Sequence, residues 1–141
     1  MIQILTGIQN TSAALDAEQT RLDVISQNIA NAHTMHDVDG LPYQRRVVVF
    51  ENALKTAMEG GNSTMLPSQV ARIERDTRAP MKIYNPGNPE ADASGMVSVP
   101  NINIHEEMAD MMSASRTFDA NLAVVKNARS MAMQTLSMGR H

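Results

Sequence analysis

The side chains whose types are most suggestive of chemistry lie close together in one stretch, at His105, Glu106, Glu107 and Asp110. A zinc-protease helix carries two histidines four positions apart with a glutamate between them, and the second histidine position is here occupied by Ala109. The metal-binding pattern therefore fails. The acidic residues are better interpreted as complements to the positive end of a helix that begins there.

A second group with metal-ligand side chains consists of His33 and His36, three positions apart, with Asp37 and Asp39 close by. Imidazole and carboxylate groups together can bind a transition metal weakly. Because the following residues are rich in turn formers, a solvated turn is the simpler of the two interpretations.

Features that nucleophilic or phosphate chemistry requires are missing from the sequence. Ser113 and Ser115 have no His or Lys at the spacing of a nucleophile and its base. Residues 86–89 contain two prolines, which lack the backbone N–H groups that bind a phosphate. The sequence therefore predicts a protein that is not an enzyme and that has no cofactor and no metal.

Composition excludes further classes of protein. The net charge is −3 without a block of like charge, which argues against a nucleic-acid partner. There is no Cys, which excludes disulfides and thiolate metal sites. No apolar run is long enough to span a bilayer, so direct membrane insertion is not expected. The first basic residue is Arg21, which is not typical of a cleavable signal peptide. The 12 Met residues outnumber the two Phe and two Tyr, which favours adaptable apolar surfaces that meet several neighbours.

The elements that position these residues include a long helix predicted over residues 103–139. Pro100 stops a helix from entering from upstream, Asn103 is a suitable N-cap, and Glu106 completes a capping box. Gly139 marks the expected end of the helix. Such a helix is about 50 Å long, so it must project from the protein or lie against another element.

Apolar and small residues recur along this helix at alternating spacings of four and three, which indicates a heptad seam. The seam is weakened at Ser115 and broken at Arg129. The Arg129 side chain either extends to the edge of the seam or meets a carboxylate across an interface. The predicted seam comprises Ile104, Met108, Met111, Ser115, Phe118, Leu122, Val125, Arg129, Ala132 and Leu136.

The N-terminal segment has the same periodicity and is the expected partner of the C-terminal helix. Its seam comprises Leu5, Ile8, Ser12, Leu15, Gln19, Leu22, Ser26 and Ile29. The sequence therefore predicts a mainly α fold. Long N- and C-terminal helices form an antiparallel coiled-coil-like pair, and a small β-rich module is inserted between them.

The inserted module is predicted to contain three or four short strands, because runs of β-branched and apolar residues are separated by turn formers. These runs occupy residues 43–50, 68–75, 81–84 and 96–99. Residues 52–58 have room for two helical turns, and residues 59–63 are predicted to form a flexible loop.

Residues 85–95 combine Pro and Gly with Asn and Asp, which predicts an ordered, turn-rich loop laid along a neighbouring surface. The chain is therefore divided into three parts. An N-terminal axial helix (1–34) is followed by an inserted loop and β module (35–102) and a long C-terminal axial helix (103–141).

Packing and contact between subunits are expected at a set of positions in the two helices. Ile29 closes the N-terminal stripe, and the amides of Asn28 and Asn31 are expected to satisfy backbone groups where the chain leaves the helix. The other expected packing positions are Leu15, Leu22, Met108, Met111, Phe118, Leu122, Val125 and Leu136.

Short motifs at both ends of the chain resemble those of a known family. The chain carries Asn-Pro-Gly-Asn-Pro at 85–89, Glu-Glu-Met-Ala-Asp at 106–110 and Ser-Ala-Ser-Arg at 113–116. The N-terminal helix is predicted to end in Asn-Ile-Ala-Asn at 28–31. In this order and spacing the motifs are similar to those of flagellar basal-body rod proteins, within the wider family of flagellar rod and hook axial proteins.

The resemblance implies a structural subunit of the proximal rod, a periplasmic drive shaft that transmits torque from the rotor ring to the distal rod and hook and encloses the export channel. It implies as partners other proximal rod proteins, the adaptor between the rod and the MS ring, the distal rod protein, and further copies of the chain. Export by the flagellar type III apparatus without a cleavable signal peptide is implied as well. The residues alone leave one alternative open, a free coiled-coil adaptor that pairs with a single partner helix.

Overall fold

The described part of the chain consists of two long helices with four short strands between them. The computed structural model describes residues 2–51 and 69–138. The helical turns predicted at 52–58, the loop predicted at 59–63 and Gly139 lie outside these residues. The elements are α1 (Ile2–Ala30), β1 (Arg46–Glu51), β2 (Gln69–Arg75), β3 (Met81–Tyr84), β4 (Met96–Val99) and α2 (Ile104–Met138).

The start of α2 confirms the predicted cap. The side-chain oxygen of Asn103 accepts a hydrogen bond from the backbone N–H of His105 at 3.1 Å, and its amide donates to the Glu106 carboxylate at 3.2 Å. The first contact satisfies a backbone N–H that the first helical turn leaves without a partner, and the second joins the two side chains of the cap. The helix then runs for 35 residues, which corresponds to about 52 Å.

The end of α1 is fixed by the side chain of Asn31. Its amide donates to the backbone carbonyl of Gln27 at 2.9 Å, and its side-chain oxygen accepts from the Thr34 hydroxyl at 3.1 Å. The Gln27 carbonyl also accepts the backbone N–H of Asn31 at 3.0 Å, so the side-chain contact adds a second hydrogen bond at the point where the chain leaves the helix.

The four predicted strands are present between the helices, and they form two separate two-stranded sheets. β1 pairs with β2, and β3 pairs with β4, each in an antiparallel hairpin. Pro80 lies between β2 and β3 and has no N–H to donate to a continued ladder. The side chain of Asn101 instead donates to the backbone carbonyl of Ala79 at 3.1 Å, which ties this connection to the segment before α2.

The two helices pack against each other. Arg21 lies opposite Asp110 and Asn28 lies opposite Glu107, so the contacts run in opposite directions along the two helices. The buried apolar side chains come from both helices, from β4 and from the connection between α1 and β1. They are Ala17, Val24, Ile25, Ala32, Tyr43, Val97 and Ala114. Within the described ranges, neither helix is apolar enough over a sufficient length to cross a membrane.

The packed face of α2 agrees with the predicted seam only in part: Met111, Phe118 and Leu122 are partly covered, but the two buried residues are not positions of that seam. Glu107 and Ala114 are buried, whereas Ser115 and Arg129, the weak positions of the predicted seam, are exposed. The buried positions still follow a heptad spacing, but they lie one residue earlier than predicted. A prediction based on hydrophobicity assigns Met108 to the seam in place of Glu107, because it does not include the cationic side chain that pairs with the Glu107 carboxylate.

Candidate functional site: a buried polar junction

The side chain of Asn28 in α1 is 1% exposed and has four hydrogen bonds. Its oxygen accepts from the backbone N–H of Arg46 at 2.9 Å and from the Tyr43 hydroxyl at 3.1 Å. Its nitrogen donates to the backbone carbonyl of Arg46 at 2.9 Å and to the Glu107 carboxylate at 3.0 Å. All hydrogen-bonding capacity of the amide is therefore used.

Glu107, in the first turn of α2, is the second buried polar residue and is also 1% exposed. One carboxylate oxygen accepts from the Arg45 guanidinium at 2.5 Å, and the other accepts from Asn28. A buried charge is tolerated only when it is paired and hydrogen-bonded. The pairing with Arg45, which lies 62 positions away in sequence, therefore explains why a carboxylate is found in the packed face of the helix.

Arg45 connects this pair to a second strand and to the next turn of α2. It lies 3.4 Å from the Asp76 carboxylate and 3.6 Å from that of Asp110. Asp110 also lies 4.0 Å from Arg21 of α1. Charge-assisted contacts at an only partly exposed guanidinium are stronger than surface ion pairs, because solvent screens them less.

The pKa values of two residues reflect this environment. Burial raises the pKa of Asp76, but hydrogen bonds from the Arg78 backbone and side chain and from Arg45 outweigh it, so the pKa lies below its usual value. Burial raises the pKa of the Tyr43 phenol, and the charge of Arg46 offsets this in part. Tyr43 is therefore a neutral hydrogen-bond donor at neutral pH.

We name this set, Asn28, Tyr43, Arg45, Asp76 and Glu107, the polar junction. It joins α1, the segment entering β1, the end of β2 and the start of α2. Its polar groups bond mainly to one another. The role of the polar junction is therefore structural, because it fixes the orientation of the β1–β2 hairpin on the helix pair. Among the described residues, no group of three or more His, Cys, Asp or Glu side chains is arranged to hold a metal ion.

A second set of contacts, outside the polar junction, connects the 85–95 loop to the segment after α1. The carboxylate of Asp92 accepts from the backbone N–H groups of Ser94 and Met96 at 2.9 and 3.0 Å, which closes the loop. Gly95 has φ 75°, and a Cβ there would lie 3.0 Å from the Tyr84 ring, so the position requires glycine. The loop reaches the neighbouring segment through a contact between the Glu90 carboxylate and the His36 imidazole.

The predicted packing residues fall into three groups. Asn28 is buried in the polar junction, while Met108 and Leu136 are 45% and 64% exposed. The remaining positions are partly exposed: Leu15, Leu22, Ile29, Asn31, Met111, Phe118, Leu122, Val125. Contact of these residues with other subunits stays a prediction.

Sequence reasoning missed four members of the polar junction, namely Tyr43, Arg45, Asp76 and Glu107. One signal was present: Glu107 lies four positions before Met111, which lies three positions before Ala114, as expected for a seam residue. A search for seams that accepts only apolar residues does not include Glu107. Nothing in the local sequence indicates that Arg45 and Asp76 meet it.

Comparison with known proteins places both helices in one class. Residues 8–35 match the family described as "Flagella basal body rod protein". Residues 93–138 match "Flagellar basal body rod FlgEFG protein C-terminal". The two matches cover α1 with the turn that follows it and α2 with the segment that leads into it, so the class is that of the flagellar rod proteins.

Curated relatives identify the family within that class. The "Flagellar basal-body rod protein FlgC" of Escherichia coli O6:H1 is 42% identical over 91% of this chain and 92% of its own length. The FlgC proteins of Yersinia enterocolitica and Bacillus subtilis are 38% and 31% identical, over 99% and 92% of this chain and 100% and 94% of their own lengths. The chain belongs to the FlgC family of flagellar basal-body rod proteins. It is a structural protein of the flagellar basal body, in a family not known for enzymatic activity.

Proposed function

We propose that the chain is a subunit of the proximal rod, where it helps to form the drive shaft that carries torque from the rotor ring to the distal rod and hook and encloses the export channel. Its helices pair as an antiparallel coiled coil aligned with the shaft, and residues 35–102 form a module on the outside. A long axial helix suits this task because its apolar faces can be buried against several like helices.

The observation that carries this proposal is the apolar surface that α2 leaves uncovered on more than one side. Met112 and Val124 are both more than half exposed, and their spacing of twelve residues places them about 120° apart around the helix. Met131 and Met133 extend the exposed surface toward the end of the helix. A free adaptor with a single partner helix needs one such stripe, whereas a subunit packed among several neighbours needs more than one.

The predicted contact residues fit this arrangement. Leu15, Leu22 and Ile29 are spaced by seven residues along one side of α1 and are partly exposed. Phe118, Leu122 and Val125 form the corresponding apolar row in the middle of α2. The polar junction would keep the hairpin in one orientation while both rows contact neighbours.

The proposed partners are other proximal rod proteins, the adaptor to the MS ring, the distal rod protein and further copies of the chain. The proposed location is the periplasmic part of the basal body, reached through the flagellar type III apparatus without a cleavable signal peptide. Both proposals are supported by membership of the rod family.

The proposal is tested by replacing the resident FlgC protein of a flagellated host with a tagged copy of this chain and isolating basal bodies. We expect the tagged chain in the rod fraction. The variant Leu122→Asp should be exported but not incorporated, because it places an unpaired charge in a packed surface. The matched variant Leu122→Met should be incorporated normally. Wild-type chain absent from rods, or Leu122→Asp present in normal amounts, would contradict the proposal.

A further inference from the structure

A shallow hollow on α2 is covered by no part of the described chain. It has a volume of ≈ 360 Å³ and is lined by Met108, Met111, Met112, Ser115 and Arg116. Met108 and Met112 are 45% and 58% exposed. Flexible thioethers adapt to an inserted apolar side chain, so the hollow is suited to receive one.

Arg116 places a positive charge at the edge of the hollow. Arg116 is exposed and has no ion-pair partner within residues 2–51 and 69–138. It therefore favours an occupant in which a carboxylate stands next to the inserted apolar residue.

The outer side of α1 has this combination twice. Leu15 and Leu22 are seven positions apart, so they lie on one side of the helix, and each is followed directly by an exposed acid, Asp16 or Asp23. Neither acid has an ion-pair partner in the described part of the chain, in contrast to Glu18, which lies 3.9 Å from Arg21. These two Leu-Asp pairs are partly or fully accessible to a neighbour.

α1 and the part of α2 beyond Met111 are opposite in net charge. α1 carries three acids and one arginine, a net charge of −2, while α2 beyond Met111 carries three basic residues and one acid, a net charge of +2. Two copies of α1, or two copies of this part of α2, would therefore repel each other, whereas α1 of one copy and this part of α2 of another attract. This argues for a head-to-tail contact and against a symmetric one.

We infer that the hollow at Met108 and Met112 receives Leu22 from α1 of a second copy of this chain, with Asp23 of that copy paired to Arg116. The inference rests on the proposed function, because it names the neighbour that one surface of the rod subunit contacts. The contact is heterologous, so it leaves the hollow of the second copy free to bind a third.

The test uses two chains that each carry one cysteine, which is possible because the natural chain has none. Leu22→Cys and Met112→Cys are produced with different tags in one host, basal bodies are isolated, and a short bismaleimide is added. A product that carries both tags must contain two copies, so contacts within one chain cannot produce it. We expect this product with Met112→Cys and not with the control Val124→Cys, which is also exposed but lies on another side of α2.

The charge pair is tested with the same cross-link. Arg116→Glu or Asp23→Arg alone should lower the yield about two- to fivefold, as expected for the loss of one ion pair at the edge of an interface, and the combination should restore it. If a cysteine variant is not incorporated into rods, the two purified chains are mixed at high concentration and cross-linked in solution, with the same expectation.

Three results would overturn the inference. They are a cross-link from Met112→Cys to a different rod protein, equal yields at positions 112 and 124, and no product from rods that contain both variants. In each case the chain is present in the rod, so the proposed function stands while the inference fails. Absence of the unsubstituted chain from rods would instead overturn the proposed function, and the inference with it.

Discussion

The two halves of α2 are equally helical but are covered very differently. In residues 104–118, Glu107 and Ala114 are completely buried. In residues 119–138, no side chain is buried by the rest of the described chain, and Met131 and Leu136 are 60% and 64% exposed. The comparison separates a part of the helix in which the chain buries two side chains by itself from a part in which even the best covered apolar side chains, such as Leu122 and Val125, stay partly exposed.

The difference shows what polar contacts contribute to this protein. The polar junction is confined to the first half, where it draws three other segments onto one turn of the helix. The second half has exposed apolar residues, and its basic residues Lys126 and Arg129 have no ion-pair partner within residues 2–51 and 69–138. Substitutions at the buried positions of the first half should therefore affect folding of the isolated chain, and substitutions at exposed apolar positions, which include those of the second half, should affect assembly.

The largest expected effect on folding follows Glu107→Ala. The change leaves the partly buried Arg45 without its closest partner and the Asn28 amide without one acceptor, at a cost of roughly 3 kcal/mol of unfolding free energy. Glu107→Gln keeps an acceptor and the shape, so it should cost less. Chemical denaturation of the purified chains measures both values. Unchanged stability of Glu107→Ala would show that the polar junction does not hold the first half of α2.

A smaller effect is expected from Asn28→Ala. It leaves the backbone groups of Arg46 and the Tyr43 hydroxyl without partners, at about 2 kcal/mol. Asn31→Ala is the matched control, because Asn31 is more exposed and water can replace its contact with the Gln27 carbonyl, so it should cost less than about 1 kcal/mol. Denaturation curves under the same conditions compare the two. Equal losses would mean that burial in the polar junction adds nothing to the value of an amide.

The pH dependence of stability provides a third test. The pKa of Asp76 is lowered in the folded chain, so its contribution to stability is present above the pKa of the unfolded state and is lost as pH falls through the lower folded value. Unfolding free energy should therefore decline from about pH 4 downward, and Asp76→Asn should reduce this decline. Denaturation at several pH values tests this. An identical pH profile for Asp76→Asn would exclude Asp76 as a contributor.

The smallest effect on folding is expected in the second half of α2. Met133 is 62% exposed, so Met133→Asp should change the unfolding free energy by less than about 0.5 kcal/mol. Its incorporation into rods should nevertheless fall sharply. Gln134→Asp places the same charge at an adjacent exposed polar position and should be incorporated normally. A destabilised Met133→Asp chain, or one that is incorporated as well as wild type, would remove the distinction between the two halves.

Local signals in the sequence were sufficient to predict the elements of the fold. Strands β3 and β4 begin and end where their apolar runs do, and the caps around Asn103 define the start of α2. These features depend on backbone propensity and on contacts within a few residues, which a sequence shows directly.

The phase of the packed face and the polar junction depend on contacts that the sequence does not show. Burial of Glu107 is possible only because Arg45, 62 positions earlier, is brought to it by the β1–β2 hairpin. Similarly, the separation of the strands into two sheets depends on how each hairpin docks, which no single strand specifies. Predictions based on periodicity are therefore reliable for spacing and weak for the choice between adjacent positions.

The bonding of Asn28 to both backbone groups of Arg46 has a consequence for the open edge of β1. In an antiparallel strand, a residue whose N–H and C=O both point away from its partner strand presents a free rung to any other extended chain. At Arg46 this rung is occupied by a side-chain amide from a helix, which imitates the peptide group of a third strand. At this residue the hairpin cannot add a strand from another chain. The α1 helix therefore covers part of an open strand edge, which lowers the tendency to aggregate, and also provides a packing surface.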